Sequence, residues 1–458
     1  MPTAASREIW LITGSQHMYS TAELDTVSKT AREAANAFDS APGTIVPVRS
    51  GPVVTTTEAV RSACRHANAA PRCIGVVFWM HTVSPPETWV AGLGELTKPL
   101  CLYHMHPNRE VPWARTGHNG SASRQRPTVI VGHWTDPDIQ EALSKWDRAG
   151  LGSHELATAR VAMIEQASRE LVQRADDAAA DSVEEVLADY EDRYILPEGA
   201  RTDGPLRHAL RDFARKELGL LDYLRAGGYG GFTTPAGGER SFPAGLLVQR
   251  AMATGYGFAP RGDVQTAALV RAIKTMSGSR SGGASFLESH AYASGASGML
   301  VVGASIMEVC PSLAHGEVRL RMPERPQAVA DDGPQSTRTE QEETRLVFMA
   351  RPGRAVNTAI VQAGKTPRLI ANEVAVVADS SESGDLTVPS VNWEPFPDRG
   401  RAAECWKSAG GGLHSCFTSS VEMNELAILG TVAAMEMLVI DRNTVVRAFR
   451  KQVGEGAP

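Results

Sequence analysis

Short apolar runs alternating with amphipathic stretches fill the first third of the chain, and no other feature limits its fold as much. The runs are Ile9-Trp10-Leu11-Ile12 and residues 45–48, 74–78, 100–103 and 129–131, with helical periodicity over residues 21–38 and 58–68. Strands that return through helices need this spacing, so the pattern predicts an α/β domain with a parallel sheet covered on both faces. Ser20 and Glu23 have the spacing of a capping box at the start of the first helix. Residues 114–127 are small and polar and read as a connector.

Farther along, residues 156–194 carry a helical pattern with acidic, alanine-rich turns, as expected of a solvated helical hairpin. A second helix over residues 206–224 stops at Gly227-Gly228. Residues 328–343 are polar and nearly devoid of large apolar side chains, which predicts a mobile surface loop. Strand-like runs at 345–349, 355–361 and 369–377 predict a β-rich C-terminal part. A chain of 458 residues with 42% hydrophobic content can build two to three domains with sizeable cores.

Charge and punctuation exclude several classes of function. The formal net charge is −6 and the basic residues are scattered, so no footprint for nucleic acid or an anionic membrane exists. No apolar run approaches the roughly 20 residues that span a bilayer, and the N-terminus lacks the apolar core of a signal peptide. The six cysteines show no CxxC spacing and read as free thiols in a reducing compartment, which predicts a cytoplasmic protein. Gly14-Ser15 lacks the spacing of a dinucleotide fingerprint. A small neutral or metal-complexed ligand fits this surface best.

Three motifs carry the chemistry: Ser285-Phe286-Leu287-Glu288, Met307-Glu308-Val309-Cys310-Pro311-Ser312 and Gly410-Gly411-Gly412-Leu413-His414. Two carboxylates and an imidazole from separate segments can hold a divalent cation and move protons. By residue type alone, Glu288 reads as a helix-end or surface carboxylate and His414 as a hydrogen-bonded core histidine. Glu308 is different, because a carboxylate within an apolar run is seldom buried without a partner or an ion.

The contexts of these residues resemble the L-arabinose isomerase family. Matches begin at Glu8-Ile9-Trp10 with Gly14-Ser15-Gln16-His17-Met18-Tyr19 and continue through Phe78-Trp79-Met80-His81-Thr82-Val83-Ser84-Pro85 and Val131-Gly132-His133-Trp134. They run on through Gly255-Tyr256-Gly257-Phe258, Gly262-Asp263 and Gly282-Gly283-Ala284-Ser285-Phe286 to Arg345-Leu346-Val347-Phe348, Asn372-Glu373-Val374 and residues 409–414. The resemblance implies an L-fucose/L-arabinose isomerase-like α/β fold: an N-terminal α/β domain over 1–145, a reduced central α/β domain over 146–304, and a β-rich C-terminal domain over 305–458. It also implies an aldose-ketose isomerase that works through an enediolate, with Mn2+ or another divalent cation as cofactor. Glu288 and Glu308 would then be the acid-base pair and, with His414, the metal ligands. Gln16, Met18, Val83 and Phe258 would meet a small-molecule sugar, with Gln16 reaching it from a neighbouring copy in a homo-oligomer, a trimer or hexamer.

The departures from the family shape the expectations as well. The segment after Pro112-Trp113 is shortened, a strand-helix-strand piece is missing between residues 163 and 182, and a metal-binding His has no counterpart around Leu320-Arg321-Met322-Pro323. His290 and His315 lie near the motifs but match no ligand position of the family. Arg261 stands where the family is acidic, Leu413 where it has the first His of a pair, and Ser289 where it has Asp. Two alternatives follow: an altered sugar isomerase or epimerase acting on a different sugar, with anionic sugars among the candidates, or a catalytically impaired paralogue that binds sugar or regulates a true isomerase.

Overall fold

The computed structural model describes residues 7–16, 18–81, 91–105, 127–164, 169–235, 245–278, 283–295, 298–303, 308–323, 344–363, 366–378 and 386–454. Contacts divide the chain into two units. The first comprises Met1–Ala157, Gly364–Arg368 and Met423–Met437, and the second Thr158–Ala363, Leu369–Glu422 and Leu438–Pro458.

In the first unit the chain order is β1 (Glu8–Gly14), α1 (Thr21–Asp39), β2 (Val48–Val54), α2 (Thr57–Ala69), β3 (Cys73–Met80), β4 (Leu100–His104), β5 (Thr128–Val131) and α3 (Pro137–Thr158). All five strands are parallel, in the order β2-β1-β3-β4-β5. Strand β3 is buried nearly throughout, as a central parallel strand covered on two faces must be. Ile9, Leu11, Val77, Trp79 and Tyr103 pack on one face with Trp146 of α3, while Ile12, Val76 and Phe78 pack on the other with Val60 and Cys64 of α2. The capping box forms as its spacing requires, with Ser20 and Glu23 each satisfying the other's backbone. The strand expected at 45–48 instead begins at Val48. Ile45 and Val46 donate their N–H groups to Asp147 Oδ2, at 3.0 and 3.3 Å. As an edge strand, β2 tolerates Pro52 and needs no continuous apolar run.

This unit also recruits a helix from far down the sequence. Met423–Val432 places Val432 in the same core, and Arg148 ties it to α3 through Glu425, 0% exposed, at 2.8 Å. The Arg148 guanidinium also donates to the Gly43 carbonyl at 2.6 Å.

The second unit opens with β6 (Arg160–Met163), α4 (Arg169–Asp176), α5 (Ala180–Arg193), α6 (Pro205–Ala226), β7 (Tyr229–Thr233), α7 (Leu246–Ala253), β8 (Gly257–Phe258) and α8 (Val264–Ser277). Strands β6, β7 and β8 form a small parallel sheet. Strand β6 lies within the stretch expected to be helical, because four residues are too few to display a period of their own. Helix α6 ends at Gly227, followed by Gly228 at φ +62°, as the glycine pair predicts.

The rest is largely β: β9 (Ala284–Gly295), β10 (Gly298–Gly303), β11 (Ala314–Arg321), β12 (Arg345–Ala350), β13 (Gly353–Ala363), β14 (Thr366–Val376), β15 (Val391–Pro395), β16 (His414–Thr418) and β17 (Glu436–Ile440). Seven strands follow the order β13-β16-β9-β10-β15-β14-β17, and β13 also pairs with β14, so six of them close on themselves. Closure leaves those six strands no free edge. The expected strands at 345–349, 355–361 and 369–377 fall within β12, β13 and β14. All six cysteines are buried and free. Among the described residues no helix is long and apolar enough to cross a membrane. The loop expected at 328–343, and the connector at 114–127 apart from Pro127, lie outside the described residues.

Candidate active site

The barrel of the second unit sets two of the three chemical motifs side by side. Strands β9 and β16 are antiparallel neighbours, and their register pairs Glu288 with His414 and Phe286 with Cys416. Directly opposed residues on adjacent strands share a face, so the carboxylate and the imidazole emerge together. The residue at 287 points the other way, and Leu287 joins the core on the opposite face.

His414 is held by two contacts. Its Nδ1 lies 2.7 Å from Asp263 Oδ2, and its ring meets Phe286 edge to face with centroids 5.2 Å apart. Asp263 is also the N-cap of α8, where Oδ1 accepts the Thr266 N–H at 2.9 Å. Burial alone would raise the Asp263 carboxyl, but the hydrogen bonds from His414 and Thr266 outweigh it and hold the group below the usual carboxylate range. With Nδ1–H given to a carboxylate, neutral His414 presents Nε2 as its free lone pair, the arrangement typical of a metal-binding imidazole.

Glu288 is 9% exposed, and Arg261 Nη1 lies 3.6 Å from its Oε1. One tight turn therefore serves both motif residues, with Arg261 facing Glu288 and Asp263 facing His414.

Glu308 is half-buried and opens the segment that leads into Pro311–Leu313. That segment is bound to β9. The Cys310 N–H donates to Ser285 Oγ at 2.9 Å, and the Cys310 sulfur accepts from Lys274 Nζ of α8 at 3.3 Å and Ser312 Oγ at 3.1 Å. Gly283 is required here, since a Cβ would stand 2.0 Å from Ser312 Oγ. Among the described residues no three His, Cys, Asp or Glu side chains are grouped closely enough to form a metal cluster.

The other sequence-derived residues are placed as follows. Phe258, 1% exposed, belongs to an aromatic row, with centroids 5.0 Å from Phe232 and 5.9 Å from Phe286, that leads to His414. Gln16 and Met18 follow β1 in the first unit, at the carboxyl end of the sheet where the strand order reverses. Met18 is 79% exposed. Val83 lies outside the described residues. His315 sits on β11, opposite Met349 of β12, and His290 lies two residues beyond Glu288 on β9. Sequence reasoning passed over Asp263. Its signal was its position directly before the apolar period of α8, where an Asp caps with one oxygen and keeps the other for a partner.

Comparison with known proteins adds a second line of observation. The chain matches profiles for the L-arabinose isomerase N-terminal domain over residues 3–119, the L-arabinose isomerase central domain over 159–279 and the L-arabinose isomerase C-terminal domain over 283–436. It is 36% identical to a protein named L-arabinose isomerase from Herpetosiphon aurantiacus, across 97% of this chain and 96% of that one. A protein of the same name from Geobacillus thermodenitrificans is 34% identical, across 97% of each chain. Another, from a Shewanella species, is 31% identical across 100% of this chain and 98% of its own.

Proposed function

Because the chain belongs to the L-arabinose isomerase family, we propose that it is a divalent-metal-dependent aldose-ketose isomerase of the L-arabinose/L-ribulose type. The observation that carries the reading is the cross-strand pair of Glu288 and His414, with His414 oriented by Asp263. A carboxylate oxygen beside an imidazole Nε2 suits Mn2+ or a similar ion, since both donors bind hard to borderline cations. Glu288 and His414 would hold it, and Glu308, which is not grouped with them in the structure, would have to close on them as the ion binds; when bound the ion would act as a Lewis acid on the sugar oxygens.

The chain's own residues would do the rest. Isomerisation moves a proton between C1 and C2 by way of an enediolate, which calls for two carboxyl groups, one accepting while the other donates. Glu288 is fixed for this by the strand that bears it. Glu308 is the second group, carried on the segment that Ser285 and Lys274 fasten to β9 and α8. Gln16, Met18, Val83 and Phe258 would complete the sugar pocket, with Gln16 contributed by a neighbouring copy in a trimer or hexamer working in the cytoplasm.

Substituting Glu288 by Gln keeps the size of the side chain and removes its basicity. Turnover of L-arabinose should fall at least about 100-fold in the folded variant, the scale of a lost general base, and an unchanged rate would contradict the assignment.

A further inference from the structure

Helix α8 carries a contact to the candidate site near each end. Its N-cap Asp263 holds His414 at 2.7 Å, and Lys274, about three turns farther on, places Nζ 3.3 Å from the Cys310 sulfur. A whole number of turns returns to the same face of a helix, so both side chains leave α8 on the face that packs against β9 and β16. The Lys274 charge is also felt at Cys416, two residues beyond His414 on β16, where it opposes the effect of burial on the thiol.

A thiol sulfur is a weak acceptor, yet Lys274 is half-buried and meets no carboxylate among the described residues. A lysine so placed adds little to the fold, because an ammonium taken partly out of water ordinarily gains a charged partner. The contact does tie Cys310, two residues after Glu308, to the helix that holds His414. Other elements pin the same stretch of backbone. The Val309 carbonyl accepts from Gln249 Nε2 of α7 at 3.1 Å, and the Cys310 N–H donates to Ser285 Oγ of β9 at 2.9 Å. With Val309 and Cys310 fixed in this way, any approach of Glu308 to an ion at His414 pivots on a point that α8 helps to set.

We infer that Lys274 is a positioning residue: acting through Cys310, it fixes Glu308 relative to His414, with α8 as the rigid link between them. The inference rests on the reading of Glu308 and His414 as metal ligands, but its test does not depend on turnover. Mn2+ affinity, by calorimetry, and melting temperature are measured for Glu308→Gln, Lys274→Met, Lys274→Arg, Cys310→Ala and the double variant Lys274→Met with Cys310→Ala. Lys274→Met keeps the length of the side chain and removes its charge. It should weaken Mn2+ binding about tenfold or more, the scale of losing an outer partner of a metal site, while melting close to the parent. Lys274→Arg should retain part of the affinity. Cys310→Ala should reproduce most of the loss by itself, so the inference is tested even if Lys274→Met does not fold. The double variant should bind no more weakly than Lys274→Met, because the two residues act as one contact. Parental affinity in either single variant, while Glu308→Gln binds weakly, would overturn the inference and leave the metal reading intact. Losses that add in the double variant would also overturn it, since Lys274 would then act elsewhere. If Glu308→Gln binds Mn2+ as tightly as the parent, the reading of Glu308 as a ligand fails and the inference falls with it. If no sugar is isomerised while the predicted pattern of affinities stands, the isomerase reading fails and this one holds.

Discussion

At the scale of single residues, the site depends on how one turn divides its charges. Asp263 caps α8 with one oxygen and holds His414 with the other, so Asp263→Asn separates the two tasks. The amide oxygen can still cap the helix but cannot serve as a charged partner for the imidazole. Mn2+ affinity, read by calorimetry, should drop roughly 10–100-fold, the usual effect of losing the carboxylate behind a histidine ligand, with little change in melting temperature. An unchanged affinity would mean that His414 does not ligate. Motif context and the family resemblance, not residue type, marked Glu288 and His414 in the sequence as a carboxylate and an imidazole with chemistry to offer. Their adjacency was hidden, because the register that pairs them spans β9 and β16, far apart in the chain. Asp263 was hidden for a related reason: a local cap explained it fully until His414 arrived from another strand.

Among elements, legibility followed periodicity. Helix α1 was readable because nineteen residues display a face and Ser20 with Glu23 announce its start. Strand β6 was not, since Arg160–Met163 is short and directly follows a long helix. Strand β9 gave little signal either, because its residues include Ser, Gly and Glu288 in place of alternating β-branched side chains. The polar centre of the helical layer was equally unforeseen. Glu217 of α6, 2% exposed, binds Arg250 of α7 at 2.9 Å and accepts from the Tyr190 hydroxyl of α5 at 2.7 Å, while Arg250 donates to the Tyr194 hydroxyl at 3.1 Å. Arg250 also pairs with Asp189 at 2.7 Å, so Glu217→Ala leaves the guanidinium one carboxylate and removes charge-assisted hydrogen bonds, at a cost of about 1.5–3 kcal/mol. The double variant Glu217→Leu with Arg250→Met should recover much of that loss. Denaturant midpoints of the three variants would show it, and a single variant as stable as the parent would contradict the network's role.

The chain as a whole is discontinuous where the sequence looks modular. The first unit takes in Met423–Met437, brought in from the C-terminal part and fixed by the buried Arg148–Glu425 pair. A fragment ending at residue 157 should therefore stay largely unfolded alone and gain helical signal and protease resistance when a peptide covering 423–437 is added. Equal stability with and without the peptide would show that the helix is dispensable. The proposed trimer or hexamer makes a further prediction at this scale: sedimentation should give three or six times the 49.0 kDa chain mass, and a monomer that turns over sugar would exclude a pocket shared between copies. The account stands on enediolate chemistry at Glu288, and loss of the sugar C2 proton to heavy water, followed by NMR across neutral and phosphorylated pentoses, tests it most directly. Exchange that requires Mn2+ and disappears in Glu288→Gln is the predicted result. Exchange that persists in that variant, or none with any sugar from the folded, metal-loaded protein, would contradict it.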